Sequence, residues 1–130
     1  MSDARRGDDD VSNLLQSQNV TGAVATPSGD WIDLSDYEGD VAIVVNIGAI
    51  TGSGTVNVQA RVSAANTGAS AADAADPRGT IAQPAAAKAV AVIFVNATNQ
   101  ANKFVGVAVT LTGITAAQTA VTLMGHKRAK

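Results

Sequence analysis

The fold class turns on the run Val41-Ala42-Ile43-Val44-Val45-Asn46-Ile47-Gly48-Ala49-Ile50-Thr51-Gly52-Ser53-Gly54-Thr55-Val56-Asn57-Val58-Gln59-Ala60-Arg61-Val62-Ser63. Its first part, Val41 to Ile50, is β-branched and apolar at successive positions, which predicts a central strand covered on both faces. The last part alternates strictly. Val56, Val58, Ala60 and Val62 fall on one face, and Thr55, Asn57, Gln59, Arg61 and Ser63 on the other, the period of a half-buried strand. Between them Thr51-Gly52-Ser53-Gly54 supplies the positive-φ positions of a tight hairpin, so the two strands are expected to fold back on one another.

The same texture continues on either side. Ala89 to Ala97, Lys103 to Leu111 and Gln118 to about Gly125 read as three further strands, separated by Thr98-Asn99-Gln100-Ala101-Asn102 and Thr112-Gly113-Ile114-Thr115-Ala116. Phe94 and Phe104 read as core residues. Upstream, Asn19 to Ala25 and Trp31 to Leu34 are shorter strands. Residues 64–88 are rich in alanine, with Pro77 and Pro84 inside, and read as a long crossover loop. A helical turn is expected over Ala69 to Ala75, stopped by Pro77 and Gly79, or a short strand near Thr80 to Ala82. The expected fold is all-β: an antiparallel β-sandwich or small, jelly-roll-like β-barrel spanning residues 19–126, with a basic tail at 127–130.

Residues 1–18 differ in kind. Arg5 and Arg6 are mixed with Asp8, Asp9 and Asp10, and Leu14 and Leu15 are the main apolar content. Such a segment is expected to stay flexible until a partner orders it, with both charge signs for polar contacts and the leucines as an apolar anchor.

The net charge of −2 provides no field to gather nucleic acid or an anionic membrane, so neither is expected as a partner. With no cysteine, disulfides, thiol catalysis and thiolate-bound zinc are excluded. No apolar run follows Arg5 and Arg6 as an export signal requires, and none approaches the roughly 20 residues of a membrane-spanning helix. Aromatics are only 3% of the chain. Alanine, valine and isoleucine bury much less area than the roughly 150–250 Å² of an aromatic side chain, so the core should be thin and a homo-oligomer is expected.

Motifs for chemistry are sparse. Asp30, Asp33, Asp36, Glu38 and Asp40 crowd into eleven residues but lack the alternating oxygens and central glycine of a calcium loop, so turn and cap chemistry is expected, and no metal. Gly48 to Thr55 has the glycines of a phosphate loop without its lysine or its helix. The single histidine, His126, sits in the basic ending with no cue that it is held against a nucleophile. No catalytic residue and no cofactor are expected. Trp31 and Tyr37 read as surface or interface aromatics that cover a sandwich end or meet a neighbour.

The order of these features resembles small virion proteins of tailed bacteriophages of the capsid decoration, or cement, type. The likeness is carried by Asp33-Leu34-Ser35-Asp36-Tyr37-Glu38-Gly39 leading into Val41 to Ile50, by Val56-Asn57-Val58-Gln59-Ala60-Arg61-Val62-Ser63, by Lys103-Phe104-Val105-Gly106-Val107-Ala108-Val109-Thr110-Leu111-Thr112-Gly113, and by the ending Gly125-His126-Lys127-Arg128. It covers most of residues 30–128, although related chains tend to carry an aromatic Asp/Gly-rich hairpin where this one has residues 64–88. The resemblance implies a non-enzymatic structural protein, made in the host cytoplasm and placed on the capsid exterior, that binds the major capsid protein lattice as a trimer. On that reading Arg5, Arg6, Asp8, Asp9, Asp10, Leu14 and Leu15 form the capsid-binding arm. A carbohydrate-binding or host-adhesion module and a head-tail component of the virion are the alternatives.

Overall fold

The computed structural model describes residues 9–75, 77–79 and 89–127, where the chain is antiparallel β-structure with one 3-10 turn, Leu34–Asp36. The strands are β1 (Asp9–Val20), β2 (Ala23–Ala25), β3 (Ile32–Asp33), β4 (Tyr37–Ser63), β5 (Ala72–Asp73), β6 (Arg78–Gly79), β7 (Ala89–Asn96) and β8 (Phe104–Lys127). They form one hydrogen-bonded sheet in the order β1-β8-β4-β7-β6, with β2 and β3 on β8 and β5 on β4. The ladder runs from β1 to β6 without returning, so among the described residues the sheet is not closed into a barrel.

β4 and β8 are the spine. They pair from Tyr37↔Lys127 at one end to Ser63↔Phe104 at the other. The hairpin expected at Thr51 to Gly54 does not form, because the two halves of β4 pair successively with β8 and not with each other. The glycines serve a different geometry. Gly52, Gly54 and Gly113 have φ of 102°, 156° and 78°, and the β4–β8 register shifts between Ile47 and Thr55. A β-carbon on Gly54 would stand 1.8 Å from the Thr112 carbonyl oxygen, so the two strands cross here at a distance only glycine allows. The supposed separator Thr112 to Ala116 is accordingly the interior of β8.

This irregularity gives the molecule its layers. In the first half of β4 the buried aliphatic residues are Val41, Ile43, Val45 and Ile47, and in the second half Val56, Val58, Ala60 and Val62, a switch of parity across the glycine segment. Both sets join one core with Val105, Val107, Val109, Val121 and Leu123 of β8. One bent sheet thus contributes two facing layers, which makes the fold sandwich-like. Each buried valine, leucine or isoleucine contributes roughly 1.5–3 kcal/mol, so a core almost without aromatics is assembled from many such side chains.

Further expectations need correction. Residues 9–18 are not a free arm: β1 lies along β8 from Asp9↔His126 to Val20↔Ala117, and Leu14 and Leu15 are fully buried. Their two apolar side chains fill the core, and that burial offsets the entropy that composition alone left uncompensated. Val41 to Ile50 is central in the sheet but covered on one face only, since Ala42 and Val44 are partly exposed and Asn46 is exposed. Ala69 to Ala75 makes no helical turn. There Ala72 and Asp73 pair with Val62 and Arg61, and the Gln100 amide holds Ala75, accepting from its N–H at 2.7 Å and donating to its carbonyl at 3.1 Å. Thr80 to Ala82 lies outside the described residues. At the other end β8 continues to Lys127, so the tail begins one residue later than expected.

Candidate functional site: an apolar sheet face and its edge

The sheet has an outer face that no described element covers. In antiparallel strands directly opposite residues share a face, so the register shows which side chains stand together. Val11 is opposite Met124, Met124 opposite Ala42 and Ala42 opposite Phe94, a single apolar row across β1, β8, β4 and β7. The next row on that face holds Thr122, Val44 and Val92, and the one after it Ala120, Asn46 and Val90. Among the described residues the exposed large hydrophobic side chains, Val11 (62%), Val90 (61%), Met124 (47%) and Phe94 (40%), all belong to these rows. Contiguous exposed apolar surface of this kind marks an interaction site more often than scattered exposed residues do.

Charged groups frame this area. Arg78, on β6 opposite Phe94 of β7, donates to Asp40 at 2.5 Å, and this hydrogen bond lowers the Asp40 carboxyl below the usual range; desolvation opposes it, and Arg78's charge and the Asn96 side chain add to the lowering. His126 Nε2 lies 3.4 Å from Glu38 Oε1 at the end of the β8–β4 ladder. On the other half of β4, Arg61 spans Asp73 at 2.7 Å and the Ala71 carbonyl at 2.9 Å, fixing β5. A cleft of about 340 Å³ lies beside that pair, between Val58, Ala60, Ala74, Pro77 and Ile93. Among the described residues no group of three His, Asp or Glu side chains is placed to hold a metal ion.

The acidic turn performs local duties. The Asp33 carboxylate accepts from the Ser35 N–H at 2.9 Å and from its hydroxyl at 2.6 Å, capping the 3-10 turn. Asp40 pairs with Arg78, and Glu38 lies beside His126.

Comparison with known protein families, curated proteins and solved structures gives no match. The chain's own geometry is therefore the guide to its function.

The expected site residues divide. Arg5, Arg6 and Asp8 lie outside the described residues. Asp9 and Asp10 open β1 opposite His126 and Gly125. Leu14 and Leu15 are core side chains and present no anchor to a partner. Trp31 and Tyr37, expected at the surface, are buried at 6% and 2% exposure. The reason is glycine on neighbouring segments. A β-carbon at Gly68 or Gly106 would come within 2.6–2.9 Å of the Trp31 ring, and one at Gly125 within 2.7 Å of Tyr37. Trp31 also donates its indole N–H to the buried Thr26 carbonyl at 3.1 Å. These rings fill slots that single glycines leave, a pairing invisible to local sequence. Phe94, expected in the core, is the exposed aromatic instead. Sequence reasoning missed Val11, Val90 and Met124 as surface residues. The available signal was the two-faced apolarity of Val41 to Ile50 and Ala89 to Ala97, which marks an apolar outer face as readily as double burial.

Proposed function

We propose that this chain is a structural protein of a tailed-phage virion that decorates and cements the capsid, binding the major capsid protein lattice through the outer face of its sheet as a homo-oligomer. The observation that carries this reading is the row Val11–Met124–Ala42–Phe94, an apolar strip on the outer face of the sheet, bordered by the Asp40–Arg78 and Glu38–His126 pairs. An apolar strip with a polar rim suits docking against another protein surface. The resemblance in sequence supplies the identity of that surface. The carbohydrate-binding alternative loses its two expected platforms, because Trp31 and Tyr37 are buried, and keeps Phe94 as a single exposed ring. A head-tail component would use the same face and differs in copy number.

The test is co-sedimentation of the purified protein with undecorated heads. Wild-type protein is expected to bind at a copy number that follows the major capsid protein, and Phe94→Ser combined with Met124→Ser to lose occupancy while keeping the wild-type circular dichroism. Binding confined to one vertex would favour the head-tail role. Undiminished decoration by the double variant would overturn the assignment of the face.

A further inference from the structure

We propose that β1 is a self-association edge, at which two copies of this chain pair their β1 strands antiparallel about a two-fold axis at Val11. β1 ends the strand order, and no described strand pairs with its outer edge. It is 12 residues long and contains neither lysine nor proline, the residues that commonly protect an exposed edge. The other edge elements, β2, β3, β5 and β6, are two or three residues each. The ladder of β1 is regular only from Asp9↔His126 to Asn13↔Thr122, beyond which the register shifts twice. A partner strand can therefore be matched over Asp9 to Asn13, and Val11 is the middle of that stretch.

The register of such a pair is restricted. With the outer faces of both copies on the same side, opposite residues must share a face, so the axis passes through a residue and not between two. An axis at Asp10 sets its carboxylate opposite Asp10 of the second copy, which is unfavourable. One at Ser12 places Asp9 and Asp10 opposite Leu15 and Leu14 of the second copy and draws in the irregular part of the strand. With the axis at Val11, Asp9 faces Asn13 of the second copy, Asp10 faces its Ser12, and Val11 faces Val11. The large apolar side chain most exposed among the described residues, Val11 at 62%, is then covered by its own copy. The contact is isologous and closes at two copies, with no free edge left to propagate. It also joins the two apolar rows end to end, Phe94–Ala42–Met124–Val11 continuing into Val11–Met124–Ala42–Phe94 of the second copy.

The absence of cysteine makes the test direct, since each introduced cysteine is the only one in the chain. Opposed Cα atoms in antiparallel strands lie about 4.5–5.5 Å apart, inside the range a disulfide spans. Val11→Cys under mild oxidation is expected to form a covalent dimer, while Asn13→Cys and the exposed control Ser28→Cys remain monomeric on denaturing gels. A mixture of Asp9→Cys and Asn13→Cys is expected to give the mixed dimer. Light scattering of the unmodified protein should read twice the 13.0 kDa chain mass, reduced to a single chain by Val11→Lys, which sets two ammonium groups face to face. A monomeric or trimeric mass, or Asn13→Cys linking as readily as Val11→Cys, would overturn the proposal. The measurement uses no heads, so its failure leaves attachment through the sheet face standing, and failure of head binding leaves the strand pairing standing.

Discussion

Asp40 shows how a single side chain reports on the arrangement around the apolar face. Its carboxylate accepts from Arg78, which is 38 positions away in sequence, and that bond lowers its pKa from the ordinary value of about 3.9. A carboxyl whose folded pKa is depressed contributes stability above its unfolded pKa and loses that contribution as pH falls through the lower folded value. Arg78→Ala is expected to raise the Asp40 titration midpoint toward the ordinary value, as read by NMR of the side-chain carboxyl carbon. It should also remove the part of the acid-side stability loss that falls below pH 4 or so. The pair is exposed, so the effect belongs in the titration curve and only weakly in the melting temperature. An unchanged midpoint in the variant would show that Asn96, which also bonds Asp40, sets the shift alone.

At the scale of elements, the decisive feature is that β4 and β8 each run unbroken through segments with the composition of turns. Gly54 carries this geometry, with φ of 156° and the Thr112 carbonyl where a β-carbon would be. Gly54→Ala is expected to cost on the order of 3 kcal/mol, from backbone strain and overpacking together. Gly22→Ala, where φ is 100° but no atom lies within 4 Å, should show the strain alone, about 1 kcal/mol. Urea midpoints of the two variants at unchanged slope make the comparison, and equal losses would refute a close approach at Gly54. The apolar alternation of Thr55 to Ser63, the strand at Ala89 to Asn96 and the all-β class were legible, because each rests on a local period. The hairpin reading failed for a physical reason. A glycine with positive φ reverses a chain only if the flanking strands pair with each other, and here both halves of β4 find a longer partner in β8. That competition depends on a strand far downstream, with pairs from Ser63↔Phe104 to Tyr37↔Lys127. Leu14 and Leu15 were misread for a similar reason: two leucines in a charged segment look insufficient until a neighbouring strand supplies the rest of the core.

For the whole molecule, β1 is structural, and this changes how any N-terminal contribution to attachment must be tested. β1 covers β8 from Ala117 to His126 and places Leu14, Leu15 and Val20 in the core. Deleting residues 2–18 would leave the β1-facing edge of β8 unpaired from Thr119 to His126 and remove both leucines. Truncating a single buried leucine to alanine costs about 2–5 kcal/mol, against about 5–15 kcal/mol for the stability of a whole domain. Loss of both, with the ladder, should consume most of that margin, and the exposed β8 edge should then promote aggregation. The deletion of 2–18 is therefore expected to abolish the cooperative urea transition, whereas deletion of 2–8 should leave its midpoint unchanged. A native-like transition in the longer deletion would show that β1 is dispensable. With the shorter deletion folded, Arg5, Arg6 and Asp8 are removed while the outer face stays complete, so the two proposed capsid contacts separate. Head binding that survives this deletion but is lost in the Phe94→Ser and Met124→Ser double variant assigns attachment to the sheet face. The opposite pattern returns it to the first eight residues.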